Sequence, residues 1–154
     1  MWGKWFLKYG SCLAAPRDEI LFSSPRILVR QIPSQPPHCI NGVYTDHDYL
    51  NDINSMIILN PQKEYDLKYI LGILNSKLIS YWFVNTFDKF QRKIFPQFKV
   101  NELAEFPIYQ ADKSQQKEII ELVNKMLKLN KELQAIEKGT NHWNQINSKI
   151  QKTD

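Results

Sequence analysis

The chain has 154 residues, of which 43% are hydrophobic and 23% charged, and its net charge at pH 7 is +4. It can therefore form the core of one domain, which excludes wholesale disorder, and five glycines and eight prolines exclude a collagen-like or low-complexity chain. No stretch approaches the roughly 18 apolar residues of a membrane span; two cysteines and a start without the apolar region of a secretory signal favour a reducing cytoplasm.

Charge is unevenly distributed along the chain. Residues 1–33 carry a net charge of +3 and residues 67–103 a net charge of +4, whereas residues 34–66 between them carry −4. Basic segments fit a nucleic-acid partner, because lysine and arginine neutralise phosphates. They equally fit an ordinary solvated surface of mixed charge, and both interpretations stay open at this point.

Three short strands are predicted in the first half. The aliphatic run 26–32 has a proline on each side, which is typical of a bounded strand. A second strand is predicted at 43–45, after an Asn-Gly turn signal, and a third at 55–59, before an Asn-Pro pair. The loops between them contain three acidic residues, Asp46, Asp48 and Asp52.

The apolar spacing then changes to that of a helix. One helix is predicted over 66–83, with Asp66 as its N-cap. The segment from 95 to 107 contains two prolines and is compatible with short strands and turns. The side chains of the helix that we expect to pack against the sheet are Ile70, Leu74, Leu78 and Trp82.

The last third is predicted to be helical. Asp112-Lys113-Ser114-Gln115 resembles a capping box, and the helix 115–136 that follows has apolar residues at heptad spacing. A break at 139–141 and a short returning helix complete a helical hairpin, and the end of the chain, 149–154, is expected to fray. The predicted fold class is mixed α+β: a small sheet-based domain with one packed central helix and C-terminal helices. We expect a DNA target-recognition region over 1–110 and a C-terminal helical segment over 111–154.

Catalytic and metal motifs are poorly represented. The glycine-rich cofactor loop and the polar-Pro-Pro-aromatic tetrapeptide of an amino-methyltransferase are both missing, so no cofactor is expected. Asp52, Asp66 and Lys68 loosely match the spacing of a magnesium-dependent nuclease, and His38-Cys39 is a weak candidate for zinc. The same residues also have purely structural explanations. Asp66 can be a helix N-cap with Lys68 solvated, and Cys39 can be buried beside an exposed His38.

DNA binding is the remaining chemistry. Arginine pairs with guanine and glutamine with adenine, and an alternating strand would place Arg26 and Arg30 on one face, on either side of Leu28. Structural ion pairs explain these arginines equally well, and a solvated loop explains the cations of 89–93. The candidate DNA-binding residues are Arg26, Arg30, Gln31, Lys89, Gln91, Arg92, Lys93 and Lys99.

Two sequence blocks carry a family resemblance. They are Pro25-Arg-Ile-Leu-Val-Arg-Gln31 and, more specifically, Leu71-Gly-Ile-Leu-Asn-Ser-Lys-Leu-Ile-Ser-Tyr-Trp-Phe83. In the order of these segments, the chain resembles, over roughly residues 8–133, the TaqI-like C-terminal specificity domain, the target-recognition domain of type II restriction–modification enzymes. Type I specificity subunits share the general plan.

The resemblance implies a non-catalytic domain that recognises a double-stranded DNA sequence for an adenine-specific methyltransferase or endonuclease, which would be present in cis or in trans. It also implies that base-reading residues vary between members. The loops 34–55 and 85–99 are therefore better places for base readout than Arg30 and Gln31, which belong to a shared block. No membrane partner is expected.

Two other functions remain open. In the first, the heptad helix binds a partner helix, as a protein-interaction module or as a fragment similar to a type I specificity subunit. In the second, Asp52, Asp66 and Lys68 form a degenerate nuclease.

Overall fold

The structure is a computed structural model, and it describes residues 9–23, 25–60, 65–87 and 97–153. After a 3₁₀ helix, Glu19–Phe22, three strands form one antiparallel sheet. They are β1 (Arg26–Arg30), β2 (Gly42–Thr45) and β3 (Ser55–Ile58), close to the predicted positions. Within the described ranges five helices follow: α1 (Leu67–Leu74), α2 (Lys77–Thr86), α3 (Val100–Ala104), α4 (Lys113–Gln134) and α5 (Asn141–Thr153). The α+β class predicted from the sequence is confirmed.

Strand β1 lies between β2 and β3 and is antiparallel to both. Arg26 pairs with Thr45 at one end of the sheet, and Arg30 pairs with Ser55 at the other. We call these the Arg26 end and the Arg30 end. Because β2 and β3 run in the same direction, the segment between them, residues 46–54, must pass from the Arg26 end to the Arg30 end. We call this segment the crossover.

The core lies between one face of the sheet and the helices. Ile27, Val29 and Met56 are buried there in one cluster with Leu71 and Leu74 of α1. Because side chains alternate along a strand, the arginines at the two ends of β1 lie on the opposite face, as predicted.

The predicted helix 66–83 is broken into α1 and α2. Asp66 is the N-cap of α1, as predicted, and its carboxylate accepts from the N–H of Lys68 at 2.7 Å. Ser76 then caps a new helix, since its hydroxyl accepts from the N–H of Ile79 at 3.1 Å. The break shifts the phase of the buried face, so that Leu78 is 74% exposed and the expectation that it packs against the sheet was wrong. Ile79 and Phe83 are buried in α2 instead.

The break between α1 and α2 holds the loop before β2 in place. The Asn75 carboxamide accepts from the N–H of Gly42 at 2.7 Å and donates to its carbonyl at 3.0 Å. The N–H of Cys39 donates to the Ser80 hydroxyl at 2.9 Å. Two polar residues of the most specific sequence block, Asn75 and Ser80, therefore bind main-chain atoms of the 34–42 loop.

An aromatic cluster connects α2 to the chain around α3. The rings of Phe83 and Phe98 lie 5.2 Å apart, and the rings of Phe98 and Phe106 lie 5.8 Å apart. Instead of the expected short strands and turns, residues 100–104 form a helical turn. Its start is stabilised by Glu102, whose carboxylate accepts from the N–H of Lys99 at 2.7 Å.

The C-terminal helical hairpin is confirmed. Asp112 accepts from the backbone N–H groups of Ser114 and Gln115 at 2.8 and 2.9 Å, and Gln115 accepts from the N–H of Asp112, which completes the predicted capping box. Helix α5 packs against α4 and extends to residue 153, farther than predicted. Among the described residues, no helix is both long and apolar enough to cross a membrane.

Candidate nucleic-acid interface

The Arg30 end of the sheet joins three segments that are far apart in sequence. The N–H of Gln31 donates to the carbonyl of Asn54 at 2.9 Å, and the N–H of Phe98 donates to the carbonyl of Gln31 at 3.1 Å. Lys99 follows Phe98 directly, and Arg30 precedes Gln31. Three of the predicted DNA-binding residues, Arg30, Gln31 and Lys99, are therefore held close together by backbone hydrogen bonds.

The side chains at this end are available to a partner. Arg30 and Lys99 are exposed, and Gln31 is half-buried. The backbone of Arg30 is fixed, since its N–H donates to the carbonyl of Asn41 at 3.0 Å. A cationic guanidinium and an ammonium on a fixed backbone suit phosphate or base-edge contacts.

The last part of the crossover is an ordered turn at the same end. The Asp52 carboxylate accepts from the Ser55 hydroxyl at 2.9 Å and from the backbone and side-chain N–H groups of Asn54, both at 3.2 Å. These hydrogen bonds, of which the one from Ser55 is the largest cause, hold the pKa of Asp52 below its usual value. The carboxylate is occupied in stabilising the turn, and Ile53 projects from it.

Arg26 has a different environment from Arg30. It is completely buried, and its guanidinium donates to the main-chain carbonyls of His47, at 3.2 Å, and of Tyr49. It holds the first part of the crossover against the sheet. The expectation that Arg26 contacts DNA is corrected here, because a buried guanidinium with these acceptors is not accessible. The alternative explanation of Arg26, an ion pair with a carboxylate, does not hold either, because its acceptors are main-chain carbonyls.

The cationic cluster before α3 lies outside the described residues. It comprises Lys89, Gln91, Arg92 and Lys93, so their predicted contacts with DNA stay predictions. The described chain on each side is well anchored: Phe87 packs on Trp82, with ring centroids 5.6 Å apart, and Phe98 is bonded to Gln31.

The residues of the two catalytic or metal alternatives have structural roles. Asp52 and Asp66 lie at opposite ends of β3, and each accepts from its own neighbouring backbone. The Lys68 ammonium donates to the Asn124 carboxamide at 2.7 Å. Cys39 is buried, which raises its pKa, and the ring of His38 lies 3.3 Å from the carbonyl of Asn75. Within the described ranges, no group of three or more potential ligands is placed to bind a metal.

A cleft of about 640 Å³ lies at the Arg26 end, between the sheet and the starts of α1 and α4. It is lined by the rings of Tyr44 and Tyr65 and by lysines of both helices. The Lys68 ammonium lies 5.3 Å from the centre of the Tyr44 ring. Among the predicted DNA-binding residues that the structure describes (Arg26, Arg30, Gln31 and Lys99), none lines this cleft.

Sequence reasoning missed the residues that hold the loops in place. Nothing in the spacing of Asn75 and Ser80 indicated that they bind the 34–42 loop, because those contacts join distant parts of the chain. The turn at Asp52 could have been found, since an aspartate side chain often accepts from the backbone N–H two residues later in a turn. The sequence did not reveal that residues 46–54 form one connection, held by Arg26 in its first part and by the Asp52 turn in its last part.

Two comparisons with known proteins bear on the family of this chain. A search of curated proteins found no match. The family model described as the TaqI-like C-terminal specificity domain matches residues 1–108, a range that includes the sheet, α1, α2 and α3. The chain therefore belongs to the family of TaqI-like C-terminal specificity domains.

Proposed function

We propose that this protein recognises a specific double-stranded DNA sequence for a restriction–modification enzyme, with the Arg30 end of the sheet as its DNA-contacting surface. Membership of the family supports DNA target recognition within a restriction–modification system. The observation that carries the choice of surface is the set of backbone hydrogen bonds that join Gln31 to Asn54 and to Phe98. They keep Arg30, Gln31 and Lys99 together at one end of the sheet.

The contacts that we propose follow from the chemistry of these side chains. Lys99 carries a compact charge and suits a phosphate. Arg30 and Gln31 belong to the block that the family shares, so they suit the DNA backbone, beside the base-reading loop 34–55. Lys89, Gln91, Arg92 and Lys93 remain proposed contacts from the sequence. Arg26 is no longer among them, because it is buried.

We assign no catalytic step to this chain. Methyl transfer or cleavage would come from an adenine-specific methyltransferase or endonuclease domain, in cis or in trans, and the protein would act in the bacterial cytoplasm with the DNA. Asp52 and Asp66, the carboxylates of the nuclease alternative, both stabilise local backbone structure, which favours this assignment.

The first experiment selects bound sequences from a pool of randomised duplexes at a stated, moderate salt concentration. We expect one motif to be enriched. Weak, salt-sensitive binding without any motif would contradict autonomous sequence recognition. Self-association that Met126→Lys abolishes, without DNA affinity, would instead support the interaction module, for which the half-exposed Leu122 of α4 is the favouring observation.

A second experiment locates the surface. Arg30→Ala and Lys99→Ala should each lower affinity, and Lys99→Ala should also reduce the slope of log affinity against log salt by about one. Lys113→Ala removes the same charge at the opposite end and is the matched control. Equal effects of Lys99→Ala and Lys113→Ala would exclude the Arg30 end as the specific surface. The sequence-based prediction for Arg92→Ala is the same as for Lys99→Ala.

A further inference from the structure

Ile53 is the most exposed large apolar side chain in the described part of the chain. Its exposed fraction is 84%, compared with 74% for Leu78. A single exposed isoleucine is ordinary on a protein surface. Its position and the rigidity of its backbone are what distinguish this one.

The turn that presents Ile53 is fixed on both sides. Asp52 binds Asn54 and Ser55 through its carboxylate, and the carbonyl of Asn54 accepts from Gln31 at 2.9 Å. A β-branched side chain has few rotamers to lose, and the backbone beneath it is already ordered. A contact made by Ile53 would therefore cost little conformational entropy.

The surroundings of Ile53 are those of the proposed DNA surface. Its turn is bonded directly to Gln31, which follows Arg30, so Ile53 lies beside the proposed DNA contacts. It also belongs to loop 34–55, the segment that we expect to read bases. The negative charge of Asp52 is partly offset, because donors from Asn54 and Ser55 occupy its oxygens. An apolar side chain here can contact bases without an unpartnered carboxylate beside it.

From this geometry we infer that Ile53 is a specificity-determining residue that contacts the 5-methyl group of a thymine in the major groove. Isoleucine has no hydrogen-bonding group in its side chain, so it can discriminate only apolar features of a base edge. In the major groove the thymine methyl is the one apolar group that the four base pairs present. The inference rests on the proposed function.

The test combines one change in the protein with one change in the DNA. Deoxyuridine in place of thymine removes only the 5-methyl group. The motif enriched from the randomised pool should contain at least one A·T pair. At one thymine, we expect the replacement to weaken wild-type binding about fivefold, the effect of losing one small apolar contact. In Ile53→Ala the same replacement should have no effect.

Ile20→Ala is the matched control, since Ile20 is 62% exposed and lies in the 3₁₀ helix before the Arg26 end of β1. It should keep the wild-type preference for thymine. Three outcomes would overturn the inference while leaving sequence recognition intact: a motif without A·T pairs, no loss with deoxyuridine in the wild type, or an equal loss in Ile53→Ala. A different result would show that Ile53 inserts between base pairs instead. In that case Ile53→Ala would bind the thymine and deoxyuridine duplexes with the same reduced affinity, and it would no longer increase the fluorescence of 2-aminopurine placed in the DNA. If no motif is enriched, the proposed function itself fails, and the inference with it.

Discussion

Arg26 stabilises the backbone of the crossover rather than any single side chain of it. Its guanidinium is buried and donates to the carbonyls of His47 and Tyr49, while its Nε atom is buried without a hydrogen-bond partner in the structure. Burial of a charge is tolerated only where acceptors compensate for the lost water, and two carbonyls do so here in part. Loss of the guanidinium would leave both carbonyls without their donor.

Arg26→Met should therefore lower the free energy of unfolding by about 2–4 kcal/mol, measured by urea denaturation. Arg26→Lys should restore only a fraction, because an ammonium lacks the planar fork that bonds two separate carbonyls. Arg30→Met is the control: Arg30 is exposed and its loss should change stability by less than about 0.5 kcal/mol. Equal stability of the two methionine variants would show that the crossover does not depend on Arg26.

Asp52 gives the turn under Ile53 a dependence on pH. Its folded-state pKa lies below its unfolded value, because the charged form accepts from Ser55 and Asn54. The stabilisation is therefore fully present above the unfolded pKa and is lost as the pH falls through the folded one. In an NMR titration, the amide of Asn54 should report a pKa below the usual aspartate value. A normal value would contradict the hydrogen bonds of the turn.

At the scale of elements, α1 and α4 approach closely at Gly72. A Cβ atom there would lie 2.6 Å from Cγ2 of Ile119 and 3.0 Å from Cγ2 of Val123, and both distances are shorter than an ordinary van der Waals contact. Glycine therefore permits the packing of these two helices, at the cost of a weaker helix propensity.

The sign of the stability change caused by Gly72→Ala tests this packing. In an isolated helix Gly→Ala stabilises by about 1 kcal/mol, but Gly72→Ala should destabilise this protein by about 1–3 kcal/mol through overpacking. Ile119→Ala removes the nearest atom, so the double variant should be more stable than the sum of the single effects predicts. Thermal denaturation of the four proteins measures the coupling. A stabilising Gly72→Ala would show that the two helices can separate without cost.

The elements themselves could largely be predicted from the sequence. The prolines around β1, the capping box at Asp112 and the heptad spacing of α4 are local signals, and each corresponds to an element of the structure. The break between α1 and α2 was missed, because Ser76 is an N-cap within an uninterrupted apolar pattern. Its cause is a long-range contact, in which Asn75 leaves the helix to bind Gly42.

The candidate site could be predicted only in part. Arg30, Gln31 and Lys99 were named from residue type, and their proximity depends on the hydrogen bond between residues 98 and 31, which no local pattern encodes. Arg26 looked equivalent to Arg30, because strand alternation places both on one face. The crossover buries one and leaves the other exposed, which is a property of the tertiary structure.

At the scale of the whole molecule, one core joins the sheet to the helices. Leu74 is only 1% exposed and lies in the same cluster as Ile27 and Phe83, whereas Leu78, four residues later, faces solvent. Leu74→Asp should abolish cooperative folding, because an unpaired charge would be buried in the core. Leu78→Asp is the matched substitution and should fold normally. Circular dichroism with thermal melts distinguishes the two, and a folded Leu74→Asp variant would contradict this core.

The loop anchors share a property that bears on how new specificities arise. Arg26 bonds the carbonyls of residues 47 and 49, Asn75 bonds both main-chain groups of Gly42, and Ser80 bonds the N–H of Cys39. Each of these side chains bonds to peptide groups, which nearly every amino acid supplies. Exposed side chains on these loops that make no such contacts, unlike Asp52, can consequently be exchanged while these hydrogen bonds persist. A library randomised at the exposed positions 48–50 and 53 would then yield mostly folded proteins. Such a library would be a suitable source of variants from which to select new binding specificities.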